Sequence, residues 1–241
     1  YNFTKELKVN GAIQANLGGK VTLNVNNNTI TSGTPANYGI IADGAGNELV
    51  INDANFVSYG GGVAAGEGSK VIFNGGKVDI TKYTKSSPGR YNFYTDGGEI
   101  VINDGVFTFG STNKTRRAYV CVEGGGKVII NGGTFGKAST RDGYTGIREL
   151  DGEVIIYGGT FGFDPTEWVS EDSRIEKVGN NWVVYAAPVL RNADELKAAL
   201  TTNYIEGQTI YLAQGNYEGM FDFTGKKLTV KSAEGAQIKG L

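Results

Sequence analysis

The chain has no histidine, a single cysteine and only four prolines among its 241 residues. Without histidine, a Ser-His-Asp triad, a histidine-containing zinc site and a histidine general base are all excluded within the chain. With Cys121 alone, no intrachain disulfide can form. Cys121 stands in the apolar stretch AYVCVEG and reads as a small buried hydrophobe rather than a nucleophile. No apolar run approaches the roughly 18 residues of a membrane-spanning helix, so no span is expected. The chain starts at Tyr1 without Met and shows no signal peptide, and it is expected to be a processed or partial chain. Charge of one sign is also lacking. A net charge of −2 gives no global electrostatic reason to bind nucleic acid, and no such partner is expected.

Glycine is abundant, with 38 residues and no Gly-X-Y period, so a collagen helix is excluded. A hydrophobic content of 39% with 20% charged residues fits a globular chain rather than a disordered one. Many glycines among many Val, Ile and Asn imply short strands joined by tight turns.

The strands repeat. KVIINGGTF (127–135) returns as EVIIYGGTF (153–161), and four further segments share the pattern of an apolar triplet followed by Asn. The aligned positions are Asn24, Asn52, Asn74, Asn103, Asn131 and Tyr157, spaced 28, 22, 29, 28 and 26 residues apart. Four residues beyond stand Phe56, Val78, Phe107, Phe135 and Phe161. Another strand precedes each triplet across a Gly-rich turn: YGIIAD, GGVAAGE, YNFYTD, AYVCVE and YTGIREL. Three short strands per period make one coil of a parallel β-helix, in which each coil buries its apolar face on the next. The fold class is therefore all-β, a right-handed parallel β-helix of about six coils over 1–161, its handedness following the general preference of parallel crossovers. Like should stack on like, and stacked Asn amides can hydrogen-bond along the column. A sandwich of hairpins is the rival, since Asn-Asp-Gly is a hairpin signal. A meander, however, has no reason to repeat residue classes in columns.

Pleating assigns faces. Leu23, Ile51, Phe73, Ile102, Ile130 and Ile156 form one row, and Thr22, Val50, Ile72, Val101, Ile129 and Ile155 the opposite one. One row fills the interior. The other is left as a β-branched stripe, to be covered by a partner chain, most simply in a homotrimer, or by a loop, or else tolerated on a flat surface. Residues 162–190, with Trp168, Trp182 and an Asn-Asn turn, read as capping strands, their tryptophans as cap core rather than sugar platforms. Residues 191–241 begin with RNADELKAAL, a helix capped by Asn192 with Glu195 in capping-box position, followed by alternating strands. They read as the helix-led start of a second β-helix unit.

The stretch ADELKAAL…GQTIYLAQGNYEG…GKKLTVKSAEG resembles the entry to pectin-lyase-like right-handed β-helix proteins. INGGTF, GGTFGFDPTEWV and NNWVV resemble β-helix modules in gut bacterial surface proteins and in phage fibre or decoration proteins. The resemblance spans about 20 to 241. It implies a virion-surface or bacterial cell-surface location and either a structural, adhesive role or polysaccharide cleavage, since the family contains both.

Two rows of residues bear on that choice. Acids recur at the turn after the first strand: Asp43, Glu67, Asp96, Glu123 and Glu149 or Asp151. Tyr38, Tyr91 and Tyr144 stand five residues before an acid, and Tyr119 four before Glu123. Stacked carboxylates about 5 Å apart suit a retaining glycosidase or a cation, yet Asp-Gly and Glu-Gly are also ordinary turns. A catalytic pair should break the repeat, and this row follows it. The longer loops bring Lys82, Lys85, Arg90, Lys114, Arg116, Arg117, Lys137 and Arg141 to one edge, which could hold an anionic glycan or simply solvate the loops. The candidate ligand-binding set is Tyr38, Tyr91, Tyr119, Tyr144, Asp96, Glu123, Arg90, Arg116, Arg117 and Arg141. No catalytic residue, cofactor or metal is assigned. The expected function is a non-enzymatic structural or adhesion module. The alternative is a polysaccharide-degrading tailspike or lyase that uses the acid row near Arg90, Arg117 and Arg148.

Overall fold

The computed structural model describes residues 1–240 except 17, 33, 35–36, 85–88, 111–116 and 139–145. Three sheets run the length of the first unit, and each takes one strand from every coil. The Asn sheet comprises Gly19–Asn24, Asn47–Asn52, Lys70–Phe73, Glu99–Ile102, Gly126–Ile130 and Gly152–Ile156. The Phe sheet has seven parallel strands: Leu7–Val9, Thr29–Ser32, Ala54–Ser58, Gly76–Ile80, Val106–Phe109, Thr134–Lys137 and Gly159–Gly162. The Tyr sheet comprises Ile13–Ala15, Tyr38–Ala42, Gly61–Ala65, Arg90–Asp96, Arg117–Glu123 and Ile147–Glu149. All pairings between successive coils are parallel, so the expected β-solenoid is formed, beginning one coil before the first aligned Asn.

The register reproduces the columns read from the spacing. Ile30, Phe56, Val78, Phe107, Phe135 and Phe161 lie on successive rungs and are all buried. The Phe135 and Phe161 rings stack at 4.8 Å with planes 5° apart. Leu23, Ile51, Phe73, Ile102, Ile130 and Ile156 fill the interior from the Asn sheet. The opposite row is half-buried, except for Val50, which is buried.

Two polar columns flank that outer row. Asn24, Asn52, Asn74, Asn103 and Asn131 each donate a side-chain N–H to the preceding amide oxygen, at 2.7, 2.7, 2.8, 2.6 and 2.8 Å. The ladder begins at Asn2, which reaches Asn24 through an isolated bridge and falls outside the spacing rule. On the other side, acid and base alternate, giving the pairs Lys20–Glu48, Lys70–Glu99 and Lys127–Glu153 at 2.7–2.9 Å. Each outward column therefore satisfies itself along the stack.

Beyond Phe161 two further strands extend the Phe sheet. Asn181–Tyr185 runs antiparallel to Gly159–Gly162, with Trp182 opposite Phe161 and Arg174–Val178 in the same sheet. Trp168 and Trp182 pack against the main core and close its open end. By contact, residues 1–169 and 175–184 form the first unit, and residues 170–174 and 185–241 the second. The second unit holds the helix Ala193–Leu200, whose Asn192 accepts from the Glu195 N–H at 2.9 Å. Glu195 reaches back to the Arg191 N–H, one residue earlier than a capping box requires. Val189–Leu190, Gln208–Leu212 and Leu228–Ser232 pair in parallel, as do Gly215–Glu218 and Ala236–Lys239, so this unit is a short parallel coil of its own.

Candidate functional site

The candidate residues converge on the Tyr sheet. Tyr91, Ala118 and Cys121 form a satellite cluster separate from the main core, with Tyr38 and Tyr94 packed against it. The rings of Tyr38 and Tyr94 stack at 4.9 Å, and those of Tyr94 and Tyr91 lie 6.2 Å apart, both pairs nearly parallel. A glycine makes this slab possible. A Cβ on Gly61 would come within 2.2 Å of the Tyr38 ring, so only a bare backbone lets that ring lie flat. Arg148 Nη1 donates to the Tyr91 hydroxyl at 2.9 Å, and the Tyr94 hydroxyl donates to Glu123. Arg90 stands over the Tyr38 ring at 5.6 Å. Burial pushes the Tyr38 and Tyr94 hydroxyl pKa values well above the ordinary phenol value, and the bond to Glu123 adds to the effect at Tyr94. Cys121 is buried, and its thiol is pushed up to about 11 by burial, as expected of a packing residue.

Two members of the candidate set lie elsewhere. Tyr119 is inside the main core, stacked on Phe163 at 5.9 Å and edge-on to Phe135, with its hydroxyl donating to the Lys137 carbonyl. It stands four residues before its acid where Tyr38 and Tyr91 stand five, and one step along a strand turns the side chain to the opposite face. Arg117 is not on an exposed ridge but 2% exposed, two residues from Tyr119 and facing the same way; Arg90, one rung away, is also buried. Lys82 and Lys137 are exposed, as expected. Lys85, Lys114, Arg116, Arg141 and Tyr144 lie outside the described residues.

In the acid row, Asp43, Glu67, Asp96 and Glu149 are exposed and Glu123 is half-buried, with Asp96 and Glu123 in register on adjacent rungs. Two of these acids hold neighbouring side chains in place. Glu123 accepts from Tyr94, and Glu149 from the Trp168 indole N–H at 2.7 Å. Among the described residues no three acidic or cysteine side chains gather where a metal could sit, and no helix is long and apolar enough to cross a membrane.

Sequence reasoning missed Tyr94, the middle ring of the slab. Its column reads Gln14, Ile41, Ala64, Tyr94, Cys121, Arg148, and the small Ala64 beneath it was the available signal. It also missed the second unit's network, in which Asp172 accepts from Tyr211 and from Lys231 at 2.5 Å. A cavity of about 700 Å³ in that unit is lined by Glu171, Arg174, Arg191, Glu195 and Glu206 among others. The chain matches no protein-family model, no curated protein and no solved structure.

Proposed function

We propose that the protein is a non-enzymatic structural and adhesive β-solenoid module of a virion fibre or head-decoration protein or of a bacterial cell surface, with the Tyr sheet's outer face as its glycan contact. The observation that carries this reading is the unbroken Asn ladder from Asn2 to Asn131. Every rung from Asn2 to Asn131 contributes the same group to the same self-satisfying column, which suits a rigid spacer whose length is its purpose. A catalytic centre needs one rung to differ, and two acids of the row, Glu123 and Glu149, are engaged in holding Tyr94 and Trp168. The half-buried β-branched row of the Asn sheet is the natural face for self-association into a trimer.

Incubation with acidic and neutral polysaccharides, read by mass spectrometry of the glycan and by retention on the immobilised glycan, tests the reading. Retention of at least one glycan with no change in chain length is expected. Chain shortening would establish the cleaving alternative. Shortening that survives Asp96→Asn and Glu123→Gln would place the chemistry away from the acid row.

A further inference from the structure

One charged group in the first unit is buried without a counter-charge among the described residues. Arg117 is 2% exposed, and its Nε and Nη1 meet no hydrogen-bond acceptor among the described residues. Its guanidinium stands 5.3 Å from the Tyr83 ring centre, and a Cβ on Gly110 would lie 2.7 Å from Nη1, so the glycine makes room for the charge. Arg90 is the register partner of Arg117 on the preceding rung, buried, and 5.8 Å from the same ring. Two cations from adjacent rungs thus lie against one aromatic ring.

Among the described residues the Arg117 charge is not balanced. The segments that flank it, 81–89 and 110–116, contain no Asp or Glu, and no described carboxylate forms an ion pair with Arg117. A cation–π contact offsets only part of the cost of burying an unpaired ion, and a second cation one rung away raises that cost. Burial lowers the Arg117 pKa from its ordinary value, in the direction expected of an uncompensated charge. Buried donors of this kind are satisfied by a partner in stable proteins.

We propose that Arg117, with Arg90 beside it and Tyr83 as its floor, binds a small inorganic anion of the sulfate or phosphate class as a structural ligand. The ligand neutralises the corner where the long connections enter the Tyr sheet. This site is independent of the glycan reading.

Thermal unfolding in rising sodium sulfate and sodium phosphate, comparing the full chain with Arg117→Met, tests the proposal. Methionine keeps the stem and removes the charge. In buffer free of both anions the variant should match or exceed the native chain, because a buried unpaired charge has been removed. As either anion rises through the low millimolar range the midpoint of the native chain's solenoid transition should climb by several degrees, saturate, and overtake the variant. Sulfate also stabilises proteins generally by exclusion, but without saturation and equally in both chains. Parallel responses would therefore overturn the proposal, leaving an adventitious ion only. A bromide-soaked crystal should show an anomalous peak against the Arg117 guanidinium, and only ordered water there would also overturn it.

Discussion

Cys121 illustrates what burial does to a single side chain here. Its thiol is raised from 9.0 to about 11 by desolvation, so the native state favours the neutral form. The sign follows directly. Stability is fully present below about pH 9, the unfolded value, and falls as pH rises toward 11, because the unfolded thiol ionises while the native one resists. The two-unit shift corresponds to at most about 3 kcal/mol. Tyr38, Tyr94 and Tyr119 are displaced upward for the same reason and extend the loss above pH 10. The urea midpoint should therefore be flat from pH 7 to 8.5 and drop beyond, and Cys121→Ala should make the drop between pH 9 and 10 shallower. A midpoint that rises with pH would contradict this. Burial of Cys121 was legible because its strand has apolar residues on both sides. The interior placement of Tyr119 was not, because the consecutive residues Tyr119 and Val120 both enter the main core, so alternation counted back from Glu123 misassigns its face.

At the scale of strands and columns, the Asn ladder makes a quantitative test. Asn103 donates to Asn74 and accepts from Asn131, whereas among the described residues the Asn131 side chain only donates. Each bond contributes about 1 kcal/mol at a solvent-accessible site. Asn103→Ala should thus lower stability by about 2 kcal/mol and Asn131→Ala by about half as much, measured by urea unfolding. Equal losses would mean that the amides act singly and not as a ladder. The columns were readable from spacing because the chain passes from the Tyr sheet to the Asn sheet through short turns, such as 97–98 and 124–125, which keep strand phase countable. The long connections, 81–89 and 110–116 among them, all fall at the corner between the Phe sheet and the Tyr sheet. Phase cannot be counted through them, so the Arg90–Arg117–Tyr83 corner had no signature beyond an excess of basic residues. The end caps were legible by a different route, because Trp182 and Asn192 belong to local motifs that need no phase.

Among the described residues each of the two units carries a main hydrophobic core, and the two have no residue in common. One runs from Ala15 to Val184 along the solenoid, and the other gathers Leu190, Leu196, Ala199, Leu200, Ile210, Leu212, Tyr217 and Phe221 around the helix. Cooperative unfolding requires that breaking one part of a core expose the rest, so two disjoint cores predict two transitions. The smaller core belongs to a unit of fewer than 80 residues, a size at which a single core supplies little net stability, and it should melt first. Leu196 and Phe135 are both fully buried and separate the two events. Leu196→Ala, at a cost of about 2–5 kcal/mol, should lower the first calorimetric transition and leave the second in place. Phe135→Ala, which removes a ring packed between Phe107 and Phe161, should cost about 3–5 kcal/mol and lower only the second. A single transition that shifts with both variants would show that the two cores unfold as one.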